Sequence, residues 1–176
     1  MKHIKLFFVR LFNLKLKHDF NFLAVSQISP RKNFDNMVRW FVEQFYDEEV
    51  GFVIKTNIAS NSRIDWEYLQ NKMTHILSEY KDRKCSVYLL HGDLTAGQMT
   101  GLYQHEKIKG MINIAHGEGF GLPMFEAARE ALPITTIGWS GQLDFLHHND
   151  KAYFNEVSFT IQPVEQAAVW PGVIEK

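Results

Sequence analysis

The stretch HGEGFGLPMFEAARE, residues 116 to 130, concentrates the residue types that could do chemistry. Glu118 and Glu126 stand on either side of a run with glycine at 117, 119 and 121. A carboxylate is a hydrogen-bond acceptor, and two vicinal hydroxyls can donate to it in a two-pronged way. The glycines bare backbone amides, and Pro123 reads as the start of a helix, where its missing N–H would be unpaired anyway. Amides at a helix N-terminus suit phosphate, or a hydroxyl brought close to the main chain. Glu126 is expected in the first helical turn and Glu118 before the glycine turn, so both can face one pocket. Such a pocket wants hydroxyls and phosphate together. A purely structural account stands beside this one, because glycines often serve plain turns and a first-turn glutamate favours the helix dipole. Two nucleotide fingerprints are excluded. GEGFGLP lacks the third glycine at the place the dinucleotide motif requires, where Leu122 stands, and no Gly-Lys-Ser or Gly-Lys-Thr occurs.

The elements that must position this loop follow from the hydrophobic period, which switches repeatedly between strand and helix. Strands are expected at 20–27, 50–56, 86–92, 110–117 and 132–138. Helices are expected from Phe34 to Phe45 with Asn33 as its cap, from Trp66 to Tyr80, from Thr95 to Gln104, within LPMFEAARE, and at SGQLDFLH. Five strand-then-helix units predict an α/β fold: one Rossmann-like domain with a parallel sheet and helices on both faces. Residues 1–18 read as a linker or edge strand and 19–176 as the domain. In open sheets of this kind ligands gather at the carboxyl ends of strands. The loops to watch are therefore 29–33, 56–63, 91–95, 116–123 and 138–141.

Composition bounds the partners. Nineteen Lys and Arg against twenty Asp and Glu leave a net charge of -1, which gives no bulk attraction to nucleic acid or to an anionic membrane. A single Cys85 excludes an intramolecular disulfide and fits a reducing compartment, so a cytoplasmic location is expected. Leu6 to Val9 resemble the start of a signal peptide, but Arg10, Lys15 and Lys17 interrupt the run and no small-residue cleavage site follows. No stretch is apolar enough for an integral membrane segment.

The order Glu118, Gly119, Phe120, Gly121, Leu122, Pro123, Glu126-Ala127 closely resembles the donor-binding signature of retaining glycosyltransferases of the GT-B fold, the group 1 family. FLAVSQISPRKNFDNMVRWF is similar to that family's first strand, phosphate loop and helix, and VYLLHGDLTAGQMTGLY to the segment that closes around the nucleotide base. The likeness runs from about Phe20 to Leu146. It implies the C-terminal, donor-binding half of a GT-B enzyme, which moves a hexose-type sugar from a nucleotide diphosphate sugar with retention and without a metal or other cofactor.

By position, the resemblance implies that Glu118 contacts the transferred sugar and Glu126 the ribose. The amides of Gly119, Phe120, Gly121 and Leu122 would meet the sugar and diphosphate. Lys32 matches the lysine that neutralises the diphosphate, and Arg31 either assists it or points to solvent. Gly92, Asp93 and Leu94 would line the base pocket. One departure stands out: relatives carry Gly-Arg after the first strand, where this chain has Ser26-Gln27 and so lacks a charge. His116 is a minor candidate, Trp139 and Ser140 read as packing residues, and His147 and His148 read as dipole partners at a helix end. The family's acceptor-binding N-terminal domain is absent, and AVWPGVIEK stops without the family's closing helices. The isolated chain is thus expected to be a fragment with weak or no transfer activity, its bare docking face open to self-association. The alternatives are a non-catalytic nucleotide-sugar-binding or docking module, or another GT-B enzyme such as a sugar-nucleotide epimerase.

Overall fold

The structure is a computed structural model that describes residues 4–8, 14–163 and 169. In chain order the elements are β1 (Ile4–Phe8), β2 (Asn21–Val25), α1 (Phe34–Gln44), β3 (Gly51–Lys55), α2 (Arg63–Ser78), β4 (Ser86–His91), α3 (Ala96–Tyr103) and β5 (Ile108–Asn113). Then come α4 (Leu122–Arg129), β6 (Ile134–Ile137), α5 (Leu143–Leu146), β7 (His147–His148), β8 (Lys151–Ala152) and β9 (Asn155–Val157). The sheet has seven strands in the order β1-β4-β3-β2-β5-β6-β9. Every pairing within it is parallel.

The strands form because both of their faces are buried, which favours near-continuous apolar runs. In β3, Phe52 and Ile54 face one side and Val53 the other; in β4, Val87 and Leu89 oppose Tyr88 and Leu90. One side packs against α1 and α2 through Phe34, Met37, Val38, Phe41, Leu69 and Met73. The other packs against α3 and α4 through Leu102, Tyr103, Met124 and Ala127. Within the first layer Phe41 stacks on Phe52 with ring centroids 4.5 Å apart.

Strand order dictates where a ligand can sit. From β2 the chain winds outward through β3 and β4, then returns to place β5 on the other side of β2. Loops leaving β2 and β5 therefore diverge to opposite faces and open a crevice between them, the switch point at which such sheets bind ligands.

Several expectations shift. β5, expected at 110–117, ends at Asn113, which lengthens the loop that follows it. Asn33 occupies the N-cap position of α1 but in left-handed backbone (φ 52°), and its side chain does not cap the helix. His147 and His148 are not helical; they pair with β8 in a small exposed hairpin. Within the stretch read as a linker or edge strand, Leu14 to Lys17 form no strand, and Leu16 is buried in the core. The edge of the sheet is β1, in register with β4 from Ile4 opposite Val87 to Phe8 opposite His91. The far edge, β9, was not foreseen, because Asn155–Val157 is short and mostly exposed. Arg10 and, apart from Val169, the AVWPGVIEK segment lie outside the described residues.

Phe52 is fully buried, so Phe52→Ala is expected to cost about 3–5 kcal/mol in urea denaturation. Trp40 is 53% exposed on α1, and Trp40→Ala is expected to change stability by less than about 0.5 kcal/mol.

Candidate functional site

The loops leaving β2 and β5 are laced together across the crevice. After β2, Pro30–Lys32 form one 3₁₀ turn that Asn33 ends. The left-handed backbone at Asn33 aims its side chain across the gap, where Nδ2 donates to the Ile114 carbonyl at 3.2 Å. One step earlier the His116 N–H donates to the Arg31 carbonyl at 2.9 Å. The Arg31 guanidinium donates to the Gly117 carbonyl. Lys32 closes the lacing on Glu118, with Nζ 2.5 Å from Oε1 and 2.6 Å from Oε2.

Glu118 is held from every side. Asn113, at the end of β5, donates to its Oε1 at 3.0 Å, and Arg31 Nη1 stands 3.6 Å from its Oε2. Its main chain is fixed by the loop after β6. The Glu118 N–H donates to Ser140 Oγ at 2.9 Å, the same hydroxyl donates to the Glu118 carbonyl at 2.6 Å, and the Gly141 N–H donates to that carbonyl at 3.2 Å. Gly141 has to be glycine, because a Cβ there would stand 1.8 Å from the Gly119 carbonyl oxygen. The side chain of Glu118 is only 7% exposed, yet two cations and an amide answer its charge.

Beyond Glu118 the loop offers donors. Among the described residues the N–H groups of Gly119, Phe120, Gly121 and Leu122 have no hydrogen-bond partner. Gly121 turns the chain into α4 at φ 82°, a conformation that glycine tolerates and branched residues do not. A Cβ at Gly119 would meet nothing within 4 Å, so that side of the loop is open. Phe120 and Leu122 are exposed, although the Phe120 ring also packs against Phe125 and Phe145.

Glu126 lies in the second turn of α4, not the first, since the helix begins at Leu122. Tyr103, at the end of α3, donates its hydroxyl to Glu126 Oε2 at 2.9 Å. Burial, reinforced by that carboxylate, pushes the Tyr103 phenol far above its ordinary value, so it remains a donor. One oxygen of Glu126 is thus occupied and oriented. The two glutamates belong to the same loop-and-helix unit, but each is held by its own partners.

Around this centre the other candidates scatter. Gln27 turns away from the crevice to donate to the Ile58 carbonyl, while the Ser26 hydroxyl is buried with no partner among the described residues. Ser26, Val25, Lys32 and Asn113 line a small cavity in the crevice. Lys55 ends β3 in register with Val25, one strand from the crevice. No ion pair or hydrogen bond reaches its Nζ among the described residues, and burial pushes its ammonium down against the distant pull of Asp93. Gly92 takes φ 107°, Asp93 accepts from Asn61, and Leu94 packs against the α3–α4 layer. His116 contributes its main chain to the lacing and leaves its ring exposed. Trp139 stacks with Phe159.

Asp65, near the start of α2, organises the loop after β3. Burial alone would raise its carboxyl, but the N–H groups of Ile58, Ala59 and Ser60 and the His91 ring, at 3.5 Å, hold it below the ordinary 3.8. Sequence reasoning missed Asn113, Tyr103, Gly141 and Asp65, and it read Ser140 as packing. Only Asn113 carried a signal, as a polar residue interrupting an apolar run.

No protein-family profile matches the chain, and no curated protein matches it. Solved structures do. The C-terminal domain of the group 1 family glycosyl transferase LpcC from Francisella tularensis superposes with a TM-score of 0.53 at 13% identity, over 79% of this chain and 68% of that one. This chain has the fold of a GT-B glycosyltransferase C-terminal domain. A UDP-forming α,α-trehalose-phosphate synthase from Burkholderia xenovorans, in complex with glucose-6-phosphate, superposes at 0.52 and 12% identity over 73% of this chain. The E. coli trehalose-6-phosphate structure bound with UDP-2-fluoro glucose does so at 0.54 and 12% identity over 72%. This GT-B domain spans about a third of those two chains, 31% in each case.

In the GT-B domain the Gly141 contact has backbone on both sides and cannot yield, so Gly141→Ala is expected to destabilise by about 1–3 kcal/mol in denaturant melts. The depressed Asp65 carboxyl contributes stability above its unfolded value and loses it as pH falls through the folded one. Asp65→Asn should therefore be less stable than the unsubstituted chain at neutral pH, and the gap should close as acid is added below 3.8.

Proposed function

We propose that this chain is the donor-binding domain of a retaining glycosyltransferase that moves a hexose-type sugar from a nucleoside diphosphate to an acceptor held by a separate domain. The observation that carries the reading is the convergence of Lys32, Arg31 and Glu118 at the β2–β5 switch point, beside four amides that have no partner among the described residues. Cations and amides suit a diphosphate, and a fixed carboxylate suits sugar hydroxyls.

In this reading Lys32, with Arg31 beside it, neutralises the charge that builds on the departing diphosphate, the term that dominates such electrostatic catalysis. The amides of Gly119 to Leu122 meet the sugar and the phosphates. Glu118 accepts from hydroxyls of the transferred sugar, and the free oxygen of Glu126 accepts from the ribose. Gly92, Asp93 and Leu94 border the base. Neither glutamate is assigned the acid and base roles of a glycoside hydrolase, because Glu118 is ion-paired and Glu126 takes a proton donor from Tyr103. The charge on Lys32 and Arg31 stands where a metal clamp would otherwise be needed. The acceptor-binding groups belong to a further domain, consistent with the share of the trehalose-phosphate synthase chain that this one spans.

Gln27 favours a second reading. Its uncharged side chain is committed to the Ile58 carbonyl, which fits a module that holds a nucleotide sugar without transferring it.

Thermal-shift and calorimetric titration with UDP, GDP, ADP and CDP and their glucose conjugates, with and without EDTA, tests the donor site; the UDP-2-fluoro glucose of the E. coli structure puts UDP-glucose first. One nucleotide series should stabilise the chain by about 2–3 kcal/mol at a hundredfold excess over Kd, equally in EDTA. Glu126→Ala should abolish the shift. Melting that no nucleotide changes would refute the donor site, and binding without transfer, after an acceptor domain is supplied, would select the module.

A further inference from the structure

We infer that Glu118 competes with the incoming diphosphate for Lys32, and that this competition makes the site select an intact nucleotide sugar over the bare nucleoside diphosphate. The inference rests on the donor site proposed above. Lys32 cannot reach a diphosphate at full strength while its ammonium is bound to both oxygens of Glu118, at 2.5 and 2.6 Å. One partner has to yield.

The structure identifies which. Glu118 is anchored at its main chain by Ser140 and Gly141 and at its carboxylate by Asn113, so it stays. Lys32 reaches it through a long flexible stem from a single 3₁₀ turn, so it swings. Removing Lys32 leaves a carboxylate 7% exposed, with one amide in hydrogen-bond contact and Arg31 at 3.6 Å. A buried charge that loses its partner is costly. Inorganic pyrophosphate or a nucleoside diphosphate attracts Lys32 and leaves that cost standing. A nucleotide sugar attracts Lys32 and returns hydroxyl donors to Glu118 in the same event, so the exchange closes with every charge answered. By the same device the product is held more weakly than the donor, since the nucleoside diphosphate lacks the hydroxyls of the transferred sugar.

The test is calorimetry on the full chain and on Glu118→Gln, with inorganic pyrophosphate, the four nucleoside diphosphates and their glucose conjugates. Glu118→Gln keeps the shape and removes the competing charge. It should bind pyrophosphate and the nucleoside diphosphate about tenfold more tightly, the scale of one charged hydrogen bond, and the conjugate more weakly, so that the preference inverts. In Lys32→Gln the further change Glu118→Gln should no longer tighten the anion, because the competition acts through Lys32. Should Glu118→Gln fail to fold, the unsubstituted chain still reports: the ¹³Cδ resonance of Glu118 should move when pyrophosphate is added. A resonance that stays put, or a Glu118→Gln chain that binds anion equally or more weakly, overturns the competition while leaving the donor site standing. If no probe binds the unsubstituted chain, the donor site and this inference fall together.

Discussion

Everything about the site depends on a lacing of two loops that the sheet itself drives apart. Strand order sends the loops after β2 and β5 to opposite faces, and four contacts pull them back together: Asn33 to Ile114, His116 to Arg31, Arg31 to Gly117 and Lys32 to Glu118. Two use main-chain carbonyls as acceptors of neutral N–H groups and two use formal cations. The neutral pair sets the separation of the loops, and the charged pair fills the gap with a polarity suited to an anion. Without the left-handed turn at Asn33, the 3₁₀ turn would not present Lys32 to β5 at all.

Charge at the crevice is graded rather than uniform. Lys32 and Arg31 face Glu118 directly, Lys55 stands one strand away with no hydrogen bond or ion pair among the described residues, and Gln27 donates to a neighbouring loop. Placing these charges in a half-buried crevice, where screening by solvent and salt is weak, lets a chain of near-zero net charge hold a strongly local field.

Much of the fold was legible because the strands are buried on both faces and read as apolar runs between helical periods. Strand ends were less so. β5 stops at Asn113 although Ile114 and Ala115 continue the apolar run, because the Asn113 side chain accepts from the Ala115 N–H and the loop turns there to meet Asn33 and Arg31. β9 could not be read from Asn155–Val157, whose few, mostly exposed residues owe their strand to pairing with β6. In the candidate site, carboxylate and glycine spacing pointed to Glu118 and Glu126, and the family resemblance to Lys32. Apart from Asn113, the residues that aim them were silent. Tyr103 and Ser140 act through contacts to residues more than twenty positions away, and Gly141 matters only because a carbonyl of another loop passes within touching distance.

The ion pair that completes the crevice joins residues 86 positions apart, and its carboxylate is steadied by a hydroxyl a further 22 positions on. Contacts of such sequence separation form late, after the loops they close have paid their entropy. A nascent chain that has emerged only as far as β5 holds every strand of the first winding yet has no assembled site. An assembled crevice is therefore a property of the finished topology, and it would appear during synthesis as a step when the loop after β6 emerges, not as a gradual gain.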